Sequence, residues 1–247
     1  VGIRNWLSDE MGRRWGMLTY GEHFVRLFLN HRFKGVYTRL WKFDESLLIK
    51  HRLLPGPFFR LELLTGPVFK RIERSYEDLL AWEIEGVERQ EGVVYVQNLL
   101  AALKLPTAAE RTKALDLIVE RDTFAKYLAI LTHGGSIHVD THNFALWLNP
   151  VNGMFVPLLT DVGGYDWSHP GKNARRPLFE SGNPVIVRWF ESPKNVAAYI
   201  ERTYELLQGI GETGRLEALI RETWKKIRPD ALSDQFMSDM GAANGTY

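Results

Sequence analysis

The 247-residue sequence contains no cysteine. This removes disulfides, thiolate metal sites and cysteine nucleophiles together. It leaves the compartment open, since secreted domains also occur without cysteine. No apolar run approaches the roughly 20 residues that span a bilayer, so no membrane span is expected. A formal net charge of +1 lacks the excess of cations that a dedicated nucleic-acid binder carries. Internal repeats and low-complexity tracts are missing too. What is present is a hydrophobic content of 45%, enough for one large domain or two closely packed lobes with a real core. Charge is unevenly spread: residues 1–75 carry 14 Lys and Arg against 7 Asp and Glu. A basic first part facing an acidic remainder suits an anionic ligand with a cation between them, and it also suits an ordinary solvated surface.

The first hundred residues read as mixed and strand-rich. Phe24–Leu29 and Val36–Leu40, separated by Asn30 to Gly35, give a β-hairpin signal. Ser75 to Ile84 reads as a helix and Gly86 to Gly92 as a loop. From Thr107 onward the pattern is mostly helical. Thr107 and Glu110 form a capping box, and Phe124, Tyr127, Leu128 and Leu131 follow at helical spacing. Trp167 to Pro184 has no period and reads as a long loop. Pro193 opens a helix with Val196, Tyr199, Ile200, Thr203, Tyr204 and Leu207 on one face. A second stripe, Leu216, Leu219, Ile220, Thr223 and Ile227, ends before Pro229. Both stripes are expected to pack in the core, and the residues from Asp234 onward to fray.

Between these helical parts, polar residues with ligand chemistry crowd around one predicted hairpin. His138, Asp140, His142 and Asn143 precede the alternating strand Phe144–Leu148, the turn runs from Asn149 to Gly153, and Met154–Leu158 leads to Asp161 and Gly163-Gly164. A hairpin closing at Asn152-Gly153 puts Asn143 and Asp161 beyond the same open end, where both could reach one divalent cation.

Two chemistries fit these residue types. Phosphoryl transfer from a nucleotide needs a group beside the acceptor, an Asn and an Asp oxygen on magnesium, and a cation on the phosphates. Asp140, Asn143 and Asp161 supply the first three in kinase-like order. Alternatively, His138, Asp140 and His142 alternate on one face of an extended segment, a compact site for zinc or manganese that would activate water. Structural roles stand beside both: a hydrogen-bonded strand-end His, Asp161 as a turn residue before two glycines, and Asn143 capping its own strand.

The order of these elements resembles the CotH family of spore-coat protein kinases. The resemblance rests on Leu27-Phe28-Leu29-Asn30, Gly35-Val36-Tyr37, Phe43-Asp44, Phe58-Phe59-Arg60, Tyr127-Leu128-Ala129, His142-Asn143-Phe144, Gly153 to Pro157 with Asp161, Asn183-Pro184, Ser192-Pro193 and Leu206-Leu207. It implies an α+β, atypical protein-kinase-like fold. In that fold residues 1–105 form a strand-rich nucleotide lobe and residues 106–247 a mostly helical lobe carrying the site hairpin, together one domain.

The resemblance further implies ATP and magnesium, with manganese as an alternative, and Ser or Thr of a protein acceptor. Asn143 and Asp161 match the family's metal-binding pair. The catalytic Asp is expected five residues before the Asn, where this chain has His138; Asp140 stands three before it and is the preferred base, with His138 as substitute. Arg60 stands where a Lys would contact phosphate, Trp41 where an acidic residue is expected, and Thr160 where a Trp usually precedes the Asp. Arg is not equivalent to a lysine point charge. These departures favour a second reading, a catalytically weak binding or scaffold module of a cell-envelope or spore-type assembly. A metal-dependent hydrolase using His138, Asp140 and His142 is the third. Spore coat, cell envelope or secretion is suggested by the resemblance alone.

Overall fold

In a computed structural model the protein is described over residues 3–42, 44–61, 64–65, 72–73, 76–136, 143–160 and 181–234. The helices among them are α1 (Ile3–Arg14), α2 (Glu45–Lys50), α3 (Arg89–Leu103), α4 (Ala108–Ile118), α5 (Arg121–Gly134), α6 (Pro184–Trp189), α7 (Pro193–Gln208) and α8 (Thr213–Leu232). The strands are β1 (His23–Leu29), β2 (Arg32–Arg39), β3 (Phe58–Leu61), β4 (Leu64–Thr65), β5 (Ile72–Glu73), β6 (Trp82–Glu85), β7 (Phe144–Asn149) and β8 (Met154–Leu158). This mixture of helix and sheet agrees with the α+β expectation. No helix of the described residues is long and apolar enough to cross a membrane.

The central sheet runs β6-β3-β7-β8, antiparallel throughout. Side chains alternate across a strand, so β3 divides the sheet's two faces. Phe59 and Leu61 share one face with Trp82, Phe144, Leu146 and Phe155, and pack with Val96 and Leu99 of α3 and Phe124, Tyr127 and Leu128 of α5 into the main core. Phe58 lies on the other face with Ala145, Trp147 and Leu158, where Leu47 and Leu48 of α2 cover them in a smaller cluster. Arg60 belongs to this second face.

The β7/β8 strands form as read, but the turn between them is wider than a closure at Asn152-Gly153 alone. Their register pairs Ala145 with Leu158 and Asn149 with Met154. The loop is four residues, closed by Gly153 N–H donating to Asn149 C=O at 2.8 Å. Asn149 and Asn152 side chains accept from the Val151 and Met154 amides, which explains two asparagines in one turn.

The β1/β2 ribbon is tighter than expected. Asn30 and His31 take φ of 50° and 60°, the two-residue turn with both central residues left-handed, so β2 starts at Arg32 rather than after Gly35. Pairing shifts between Leu27 and Phe28, opposite Lys34. The base of the ribbon is anchored by the tilted Trp6–Phe24 ring pair at 5.6 Å, by Arg26 on Asp230 at 2.9 Å and by Val36 N–H donating to the Asp234 carboxylate at 3.1 Å. Gly35 has φ 116°, and a Cβ there would lie 2.1 Å from Asp234 Oδ2. Gly35→Ala is therefore expected to release the ribbon from the end of α8, lowering the melting temperature and speeding proteolysis in β1/β2. An unchanged melting curve would refute this close approach.

Several sequence expectations are corrected. The stretch read as a helix ending at Ile84 is instead a 3-10 turn at Leu79–Ala81 followed by β6; Trp82-Glu83-Ile84-Glu85 is a period-two pattern that helical spacing obscured. The supposed loop ending at Gly92 gives way to α3 at Arg89. Gly92 serves contact there, since a Cβ would meet Ile84 Cγ2 at 2.3 Å. α1 and α2 add helices to the part read as strand-rich. α8 runs through Pro229 to Leu232, although a proline there has no amide to donate to the carbonyl of Lys225 one turn back. The α8 stripe is buried as expected at Leu216, Thr223 and Ile227. The α7 stripe is buried only in part: Val196, Tyr199 and Thr203 are half-buried, whereas Ile200, Tyr204 and Leu207 are exposed. α7 instead meets α5 through Leu206, the Tyr199 hydroxyl against Thr132 at 2.8 Å, and buried Asn195, which accepts from Arg121 and donates to Trp189 C=O. Most of the Trp167–Pro184 loop and the segment after Asp234 lie outside the described residues.

Candidate functional site

On the second face of the sheet a cleft of about 290 Å³ is lined by Tyr20, Trp41 and Phe58, by Lys42, Arg60, Glu83 and Glu85, and by Ala145. That size is just below the range of small-ligand clefts, about 300–1,000 Å³. Arg60 projects into it from the middle of β3, registered against Glu83 on β6 and Ala145 on β7. Its Nε donates to Glu83 Oε2 at 3.0 Å, and Nη2 reaches the same oxygen. Lys42 stands 4.0 Å from Glu85. Both pairs are substantially solvated, so each contributes little to stability and can be exchanged for another partner.

Trp41 forms part of the wall and is itself flanked by cations: Lys50 Nζ is 4.7 Å from its ring and the Arg39 guanidinium 5.6 Å. Burial pushes the Lys50 ammonium below its ordinary pKa, with Asp9 opposing. Behind it His51 Nε2 contacts Thr19 C=O at 3.1 Å, and desolvation lowers its pKa as well. Asp9 accepts from the Gly21 and Glu22 amides at 2.9 and 3.0 Å. Burial nevertheless outweighs these bonds and raises its pKa. This wall is thus a cationic, partly dehydrated surface around one indole.

Asn143 immediately precedes β7, two residues before the Ala145 that faces Arg60. Its φ of 60° is a left-handed conformation that asparagine tolerates better than most residues. Its C=O accepts from buried Thr160 Oγ1 at 2.7 Å, so Asn143 and Thr160 close the hairpin's open end together. The sequence places Asp161 directly after Thr160. Asp161, His138, Asp140 and His142 themselves lie outside the described residues. Among the described residues no group of three or more His, Asp or Glu is placed to hold a metal ion. The structure therefore brings Arg60 and Asn143 to one end of one sheet.

Compared with known proteins, residues 2–244 match the model of the family described as CotH kinase protein. The chain belongs to that family. It is also 22% identical over 243 residues to inner spore coat protein H of Bacillus subtilis (strain 168), a match covering 95% of this chain and 66% of that protein's length. At that identity the CotH relationship carries the architecture further than it carries individual side chains, so Arg60, Trp41 and Thr160 are judged by where they sit here. Trp41 and Arg60 both line the cleft, and Thr160 ties the hairpin end. Sequence reasoning missed Glu83, Glu85, Lys42 and Tyr20. The alternating Glu83 and Glu85 were the available signal, since period two in a strand puts both carboxylates on the cleft face.

Proposed function

We propose that this CotH family member is an ATP- and magnesium-dependent phosphotransferase acting on Ser or Thr of a protein acceptor, with its site in the cleft on the second face of the sheet and its strand-rich and helical parts in a kinase-like arrangement. The observation that carries the proposal is the Arg60 guanidinium inside an aromatic-walled cleft, on the strand next to the one that Asn143 precedes. These residues fit the group: Arg60 would bind phosphate oxygens, and Asn143 with Asp161 would hold the cation. When bound, the nucleotide and its metal supply the phosphoryl group and neutralise its charge. Arg60 exchanges Glu83 for the anion, Tyr20, Trp41 and Phe58 exclude water from the cleft, and Asp140, or His138 in its place, accepts the acceptor hydroxyl's proton. Because a spore coat protein is among the relatives, an acceptor in a spore-coat or cell-envelope assembly is part of the proposal.

Thermal shift is the first test. ATP with magnesium at about a hundredfold excess over its Kd is expected to add about 2.7 kcal/mol, raising the melting temperature by roughly 5–10 °C. Labelled ATP should then transfer label to the protein or an added acceptor, and Asp140→Asn should abolish transfer while keeping the shift. Loss in His138→Ala instead would make the histidine the base. No shift with magnesium or manganese would favour the scaffold reading, which the engagement of Arg60 by Glu83 and the Trp41 wall support. A shift with zinc alone would favour the hydrolase.

A further inference from the structure

The β1/β2 ribbon stands apart from the central sheet and carries a composition that the proposed phosphotransfer does not use. Residues 23–39 contain four Arg or Lys, two His and no Asp or Glu. Its base is anchored on α1 and α8, but its far end is bare: Leu27, Phe28 and Leu29 are 41%, 55% and 60% exposed, and Asn30, His31 and Arg32 around them are exposed as well. Phe28 meets Phe33 across the ribbon in a tilted ring pair at 5.5 Å, which leaves it more than half exposed.

We propose that this tip docks the protein on an anionic lipid surface. Successive strand residues point to opposite faces, so Leu27 and Leu29 project from one side of the ribbon and Phe28 from the other. A folded partner would cover one of these faces and leave the other in water, whereas an interfacial layer surrounds an inserted tip on both sides. The rigid two-residue turn at Asn30-His31 lets the strands end together as a narrow wedge. Apolar side chains ringed by cations bind such interfaces by burying apolar area and by attraction to acidic headgroups. The lack of any carboxylate between His23 and Arg39 removes the repulsion that would oppose it. Asp230 and Asp234 sit at the base, where they hold the ribbon to α8.

Flotation of the whole chain with vesicles tests this. Phosphatidylcholine containing a third phosphatidylglycerol should carry the protein, phosphatidylcholine alone should not, and raised salt should release it. Phe28→Ala with Leu29→Ala, and separately Arg32→Glu with Lys34→Glu, should each weaken binding about tenfold or more, with melting curves unchanged because these side chains leave the core untouched. Absence from anionic vesicles, or binding by both double variants equal to the parent's, overturns the proposal. Retention on immobilised polyglutamate without vesicle binding assigns the tip to an acidic protein and overturns it equally. ATP-dependent stabilisation is read separately in the same samples, so failure here and failure of the phosphotransfer proposal are distinguishable.

Discussion

Phe124→Ala is expected to cost about 3–5 kcal/mol, the usual range for emptying a fully buried aromatic site. Phe124 has no exposed surface. Its ring lies 5.2 Å from Trp189 of α6, 5.9 Å from Tyr127 one turn along α5, and 6.4 Å edge-on from Phe144. Three separate chain segments thus meet at one side chain, and none can fill the void without leaving another neighbour. Because native domains are stable by only about 5–15 kcal/mol, the variant should lose a large part of its margin, read as a lower midpoint in urea with an unchanged slope. Phe144 is also the residue that follows Asn143, so the damage should reach the hairpin end and weaken any ATP response before the protein unfolds. A loss near 1 kcal/mol would mean that the aromatic cluster collapses readily onto the cavity and does not hold the hairpin in place.

Elements whose signals are local were legible in advance. The Thr107–Glu110 box is reciprocal, with both side chains bonding the other residue's backbone, and it needs nothing beyond four residues. The β7/β8 hairpin likewise follows from apolar strands and an asparagine-rich turn. Half of the α7 stripe, Ile200, Tyr204 and Leu207, faces solvent because helical periodicity reports where apolar residues lie and not which side another helix approaches. Here buried Asn195 and Leu206 define the packed side, and a polar residue bonded on both its amide atoms leaves no hydrophobic trace. β6 failed for the opposite reason: Trp82 and Ile84 are apolar enough for either period, and only pairing with β3 decides. At the site, Asn143 and Arg60 were named from the sequence, whereas their shared sheet end depends on Arg60 and Ala145, 85 residues apart, meeting in register. No local pattern announces that meeting, and for the same reason Glu83 as partner to Arg60 was invisible.

On the proposed function, that partnership sets Glu83 and a phosphate in competition for Arg60, and the contest can be decided from both sides. Arg60→Ala removes a charged hydrogen-bond donor worth about 1.5–3 kcal/mol, so the ATP–magnesium Kd, measured by calorimetry, should rise roughly ten- to a hundredfold with the fold intact. Arg60→Lys should recover part of the loss, because an ammonium keeps the charge but not the forked geometry. Glu83→Gln acts in the other direction: it keeps the size and a hydrogen-bond acceptor while removing the competing charge, so Arg60 is released more cheaply and the Kd should fall below that of the parent. Glu83 is about half exposed, and its replacement should leave the melting temperature of the unliganded protein nearly unchanged. The two variants moving in opposite directions is the signature of a guanidinium held in reserve for an anion. If Arg60→Ala binds ATP as the parent does, the Arg60–Glu83 pair is only a strand-to-strand tie across β3 and β6, and Arg60 does not hold the phosphate.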